Sequence, residues 1–193
     1  MLETQDLQRF ALPDKFRGRS SVLVQLWWLV QSTLFRGSPQ FMYGWRSFLL
    51  QLFGARIGTG VLVRPTARIT YPWNLSIGDY SWIGDFAELY TLDKIDIGRC
   101  SVVSRHVYIC TGSHDTTRST FDITRKPIRI EDQVWIAAGT FVHPGVTIRS
   151  GSVVGAHSVL NTDTEPYALY TGAPAKLIGE RITRSTMPLR KGK

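Results

Sequence analysis

The side chains of this 193-residue chain best suited to move a proton or attack an acyl group are four histidines and two cysteines. His106, His143 and His157 sit inside short apolar repeats, where an outward polar side chain needs no special explanation. His114 is placed otherwise. It falls in Thr111-Gly112-Ser113-His114-Asp115, five residues past Ile109, where the repeat breaks off into a long loop. Loops mounted on rigid scaffolds favour function, and an imidazole there can take a proton from a hydroxyl or an amine near neutral pH. Cys100 and Cys110 make no metal or disulfide spacing and have no identifiable base beside them. The simplest account of them is two free, reduced thiols in a cytoplasmic protein.

The element that must position His114 is a ladder with a period of six. Its rungs are Ile57, Val63, Ile69; Ile77, Ile83, Leu89; Ile97, Val103, Ile109; Ile130, Ile136, Val142; and Ile148, Val154, Leu160. Two residues before most rungs stands a small or β-branched residue such as Ala67, Ser81, Ser101, Thr140 or Ser158. A glycine often follows the rung, as at Gly58, Gly78, Gly84, Gly98 and Gly155. Inward residues at i and i−2 describe a short strand, and the glycine with its polar followers describes a bend. Three such strands close a triangular coil, and stacked coils give three parallel sheets around a column of Ile and Val. The reading is an all-β solenoid of about five coils.

The interruptions gather at one junction, between the third strand of a coil and the first of the next. Ile69 to Ile77 and Leu89 to Ile97 are eight residues apart, and Ile109 to Ile130 is twenty-one. One corner of the prism therefore carries two small bulges and a protruding loop near residues 111–127, directly after the rung that precedes His114. Beyond Ile130 the ladder runs without a slip to Leu160.

A single domain is expected, divided into an N-terminal extension with two short helices (residues 1–54), the solenoid (55–165), and a closing segment with a basic tail (166–193). The ends must be covered, because end coils expose strand edges. Residues 22–35 are apolar and aromatic, Gly37 to Pro39 break the chain, and residues 41–53 form a second amphipathic run. Neither run reaches the ~18–20 apolar residues of a spanning helix, and no small-residue cleavage site makes the first a signal peptide. The two helices either only cap and pack on the first coil, or also lay Trp27, Trp28, Phe35 and Trp45 against a membrane or a lipid-linked substrate. The net charge of +8 fits a soluble basic surface or attraction to a polyanion such as a phosphorylated cofactor or an anionic membrane. No groove-reading helix or interleaved aromatic and basic motif points to nucleic acid.

Several ordered motifs carry a resemblance. They are Tyr71-Pro72-Trp73-Asn74-Leu75 with Ile77-Gly78-Asp79, then Thr111-Gly112-Ser113-His114-Asp115 and Val134-Trp135-Ile136-Ala137-Ala138-Gly139. Pro144-Gly145-Val146-Thr147-Ile148 and Gly172-Ala173-Pro174-Ala175-Lys176-Leu177-Ile178 follow. With this series the chain resembles, from about Ser20 to its end, the left-handed β-helix, hexapeptide-repeat acyltransferases. Within them it is most similar to the colanic acid biosynthesis acetyltransferases and the sugar O-acetyltransferases.

The resemblance implies left-handed coiling, transfer of an acetyl group from acetyl-CoA to a sugar hydroxyl without a metal, and a homotrimer. The acceptor would be a small-molecule or lipid-linked sugar, and the location cytoplasmic or at the inner membrane face. By the same match His114 is the general base, and Asp93 contacts the acceptor or caps the bulge before Ile97. Trp135, Ala137, Ala138 and Gly139 would border the CoA arm, with Ala156, Ser158 and Thr162 along the later groove. Ser158 is equally an inward repeat residue. Lys176, Arg181 and Arg184 would meet the cofactor phosphates or stand as solvated charges.

Arg149 and His157 stand where this family often has Gly, and residues 85–90 lack the Asn that galactoside- and maltose-type enzymes often use on the acceptor. An amine acceptor would use the same imidazole, so an N-acyltransferase stays open, as does a non-catalytic scaffold. A zinc enzyme of the γ-carbonic-anhydrase kind would need three converging histidines, and His106 with His114 offers two.

Overall fold

The computed structural model describes residues 4–13 and 16–182, and within them the ladder closes into a left-handed parallel β-helix. Strands of only two or three residues stack on three faces. The first face runs Arg56–Ile57, Leu75–Ile77, Ile95–Ile97, Ile128–Ile130, Thr147–Ile148, and the third runs Arg68–Ile69, Glu88–Tyr90, Tyr108–Cys110, Phe141–Val142, Val159–Leu160. The second carries Leu62–Val63, Trp82–Ile83, Val102–Val103, Trp135–Ile136 and Val153–Val154, then Ala168–Gly172 and an antiparallel final strand, Ala175–Glu180. The rungs from Val63 to Leu160 are buried, each contributing about 1.5–3 kcal/mol relative to an exposed side chain.

Five coils are complete and a sixth begins, one more than the ladder predicts. Thr164 N donates to Thr147 O (3.1 Å) on the first face, and Tyr170 pairs in register with Val154 on the second. The extra coil escapes the pattern because Tyr170 follows Val154 by sixteen residues rather than eighteen and is aromatic.

The small polar residues two before the rungs point inward and join coils by their hydroxyls. Ser81 Oγ donates to Gly98 O (2.7 Å), Ser101 Oγ to Glu131 O (2.8 Å) and Ser152 Oγ to Glu165 O (2.7 Å). Each hydroxyl is buried but satisfied, which removes the desolvation cost of an orphan.

The glycines after the rungs do a different job from the expected bend. Gly78 and Gly84 lack positive φ; instead a Cβ on either would lie 2.7 Å from backbone atoms of the next coil, so they permit close stacking. The left-handed bend comes two residues later and is mostly made by non-glycine residues, such as Tyr80, Cys100 and Gln133 at one corner and Phe86, His106 and His157 at another.

The first coil leaves each of its strands at a sheet edge, and two helices close it. Helix α1 (Ser21–Val30) starts at Ser20, whose Oγ accepts from Leu23 N, and continues through a wider turn at Gln31–Phe35; α2 covers Tyr43–Leu52. Trp27 Nε1 donates to Ile69 O (2.8 Å) and Ile69 N donates to Gln31 Oε1 (2.6 Å), so α1 supplies the partners that a further strand would have given. From α2, Arg46 Nε donates to Val63 O (2.6 Å) and Gln51 Nε2 to Ile57 O (3.0 Å).

Candidate active site

The twenty-one-residue gap in the ladder is a β-hairpin at the corner between the third and first faces. Strand Gly112–His114 leaves the third-face strand Tyr108–Cys110 and pairs antiparallel with Ile123–Arg125, His114 opposite Ile123. Thr111 anchors its base, its Oγ1 donating to Tyr90 O (2.6 Å) and accepting from Asp93 N (2.9 Å). At the tip, Asp115 Oδ1 accepts from Thr117 N (2.9 Å) and Oγ1 (2.6 Å), and these bonds hold its carboxyl below the usual value. Arg118 pairs with Asp122 at 2.6 Å.

His114 is exposed and fixed on one side only. Its Nδ1 lies 2.8 Å from the carbonyl oxygen of Phe121, and its ring stacks on that of Phe121 with centroids 4.1 Å apart. A carbonyl only accepts, so Nδ1 carries the proton and Nε2 of the neutral ring presents its lone pair outward. Phe10 stands 6.4 Å away, brought there by the N-terminal segment, where Asp6 N donates to Ser119 O (2.7 Å). Burial pushes the phenols of Tyr90 and Tyr108 up, so neither competes as a base near neutral pH.

Next to the hairpin base, a cleft of about 550 Å³ opens between α1 and the third face, lined by Trp28, Gln31, Arg36, Arg68, Glu88 and Tyr90 among others. Tyr90 borders both features, since a Cβ on Gly112 would lie 3.0 Å from its Cε1.

The other sequence-predicted residues are elsewhere. Asp93 is partly buried in the bulge before Ile97, and its Oδ1 accepts from Lys94 N (2.7 Å). Trp135 points outward on the second face, its Nε1 donating to Ser104 Oγ (3.1 Å). Ala137, Ala138 and Gly139 form the corner between the second and third faces, and Ala156 follows one coil on. Gly139, at φ +71°, lies under the ring of His157. Ser158 is fully buried with its Oγ accepting from Gly172 N (3.1 Å), so its side chain belongs to the interior and lines no groove. Arg149 pairs with Glu131 at 3.4 Å. Thr162 and Lys176 are exposed. Arg181 NH1 donates to Gln133 O (2.8 Å) and Gly151 O (3.0 Å), tying the last strand to a corner and leaving only part of its fork free for a phosphate. Arg184 lies outside the described residues.

One chain thus brings His114, Phe121 and Phe10 together, but not His114 and Trp135, which occupy different sides of the triangle. Neither Phe121 nor Phe10 stands out in the sequence. A left-handed phenylalanine has no signature there, and residues 4–13 show no period. Among the described residues no group of three or more His, Cys, Asp or Glu is placed to hold a metal, and no helix is long and apolar enough to cross a membrane.

Residues 127–162 match the family model described as bacterial transferase hexapeptide (six repeats). The chain is 51% identical to the colanic acid biosynthesis acetyltransferase WcaF of Escherichia coli K12 over 178 residues, 92% of this chain and 98% of that protein. It is 27% identical to galactoside O-acetyltransferase of the same organism, over 70% of this chain and 68% of that one. The hexapeptide-repeat acetyltransferase VCA0836 of Vibrio cholerae, solved with acetyl coenzyme A, superposes with a TM-score of 0.77 at 26% identity, covering 86% of this chain and 92% of that one.

Proposed function

The chain belongs to the hexapeptide-repeat acetyltransferases, with acetyl-CoA as acyl donor, and from that premise we propose that it acetylates a sugar hydroxyl directly, with His114 as general base. The observation that carries the reading is the Nδ1 bond to Phe121 O at 2.8 Å, which leaves Nε2 as the acceptor facing solvent. The acceptor hydroxyl attacks the thioester carbonyl as its proton passes to Nε2. The C–O bond forms, a backbone N–H steadies the oxyanion, and the C–S bond breaks. The imidazolium returns its proton to the departing sulfur, so free CoA and the O-acetyl sugar leave with the base restored. A thioester is already activated, so the reaction requires neither a covalent enzyme intermediate nor a metal.

The sugar reading draws on the relatives whose names give colanic acid biosynthesis and a galactoside. The cleft beside the hairpin adds support, since Trp28 and Tyr90 offer faces for a pyranose ring and Arg36, Arg68 and Glu88 offer polar partners. The separation of His114 from Trp135 and Ala137 to Gly139 supports a homotrimer. In it the hairpin of one copy meets the second face and its corner on a neighbour, and acetyl-CoA lies between them.

The test is release of free thiol from acetyl-CoA across a panel of sugars and amines. Sugars should be turned over in preference to amines, and His114→Ala should lower the rate by about 10²–10⁴ with acetyl-CoA binding retained. An unchanged rate in His114→Ala would remove the base assignment, and preference for amines would replace the acceptor class.

A further inference from the structure

We infer that the outer face of the N-terminal helical cap is a docking surface for an anionic membrane. The inference does not depend on the role of His114. Trp27, Gln31 and Arg46 turn one side of each helix onto the edge of the first coil. The opposite side therefore faces away from the solenoid, and it is not polar. Val22, Leu26 and Leu29 follow an i, i+4, i+7 spacing along α1, Phe48 and Leu52 lie one turn apart on α2, and Phe41 precedes α2. These six side chains are between 47% and 80% exposed, whereas Trp27 and Phe35, expected from the sequence as membrane-facing candidates, are fully buried against the first coil. An end cap needs one apolar side; this one has two.

Charge decides the occupant. From Lys15 to Gly78 the chain carries eight of its 23 Lys and Arg and none of its 15 Asp and Glu. This stretch carries a formal +8 and the rest of the chain is balanced, although Arg46 is buried inside the cap and Arg64 pairs with Asp85 at 2.9 Å. Arg19, Arg36 and Arg56 are exposed, and none of them forms a salt bridge among the described residues, whereas Arg68 stands in register with Glu88 in the cleft. A second copy docked face to face would bring cations against cations, so the arrangement disfavours self-association through this face. An apolar plate of two short helices, in a segment that is cationic without any acid, matches an anionic lipid surface: the side chains enter the acyl boundary and the guanidinium groups meet the headgroup phosphates.

The test is flotation of the full-length protein with vesicles of phosphatidylcholine alone, or of two parts phosphatidylcholine to one part phosphatidylglycerol. The protein should float with the anionic vesicles, about tenfold less with the neutral ones, and less as salt is raised. Leu29→Asp with Phe48→Asp should abolish flotation while the circular dichroism spectrum is kept. If that pair unfolds the protein, Arg19→Gln with Arg56→Gln decides, and it should weaken anionic binding severalfold. Equal flotation on both vesicles, none on either, or parental flotation of a folded variant would overturn the proposal. So would a concentration-dependent doubling of mass that the aspartate pair abolishes, because a second copy would then be the occupant.

Discussion

His114 stacks on the ring of Phe121 with planes 11° from parallel while its Nδ1 donates to the Phe121 carbonyl 2.8 Å away, so one residue sets both the plane and the tautomer of the other. Phe121 turns that carbonyl back by adopting φ +51°. In Phe121→Ala the carbonyl stays and the stack is lost. We expect kcat to fall about tenfold, with KM for acetyl-CoA unchanged, because a misaimed base slows chemistry rather than binding. Phe121 acts through the imidazole, so the double variant with His114→Ala should be no slower than His114→Ala alone. Additive losses would mean that Phe121 touches the reaction by another route.

Two glycines should respond to alanine with opposite signs. A Cβ on Gly84 would lie 2.7 Å from Arg105 N and Ser104 C, which are backbone atoms of the next coil and cannot step aside. Gly84→Ala should lose about 1–3 kcal/mol of stability by overpacking. Gly44, in the first turn of α2, has nothing within 4 Å of its added Cβ, so Gly44→Ala should gain a few tenths of a kcal/mol, below the roughly 0.5–1 kcal/mol of a mid-helix site. Chemical denaturation of both variants checks the pair; a tolerated Gly84→Ala would show that the coils can move apart.

The solenoid was legible in the sequence because a rung is a local choice repeated: Ile77, Ile97, Ile130 and Ile148 are buried for one reason, and their registers coincide. The break after Ile109 likewise located the hairpin. What the period could not carry was anything that depends on neighbours out of phase. Tyr170 fills a rung two residues early, and Ser158 satisfies a backbone N–H inside the stack. Phe121 meets His114 only because the hairpin folds back. The glycines at 78 and 84 serve close approach rather than a bend, and a turn and a close approach leave the same letter in the sequence.

Glu131 gives an acid-side test of the stack. Its Oε2 accepts from Ser150 N (3.0 Å) and Ser150 Oγ (3.0 Å), with Arg149 at 3.4 Å from Oε1. The backbone bond from Ser150, first among these, holds the carboxyl below its ordinary 4.5. A depressed folded value means that the stabilisation is complete above the unfolded pKa and is lost as pH falls through the folded one. The melting-temperature gap between the parent and Glu131→Gln should therefore be constant from about pH 7 to 5, then close below about pH 4. A gap that persists at low pH would assign the bonds to shape rather than to charge.

Arg46 is the cap's most committed side chain. It is fully buried, and its guanidinium donates to Val63 O (2.6 Å), Pro39 O (2.9 Å), Gln40 O (2.6 Å) and Ser38 Oγ (2.8 Å), with Tyr43 4.9 Å away. Burial lowers its pKa, the expected cost of a cation with no carboxylate among these partners. Four neutral acceptors hold the charge, and one of them is the edge carbonyl of the first coil. Arg46→Leu keeps apolar volume but leaves Val63 O, Pro39 O and Gln40 O without this donor. The loss should be about 2–4 kcal/mol, a lower melting temperature that salt does not restore. Lysine supplies one donor centre in place of the fork, so Arg46→Lys should recover only part of the deficit. Amide exchange should report the damage locally, with protection falling first at Leu62–Val63 and in α2 while the coils beyond Ile77 keep theirs. Uniform loss of protection would show instead that the cap and the solenoid unfold as one unit.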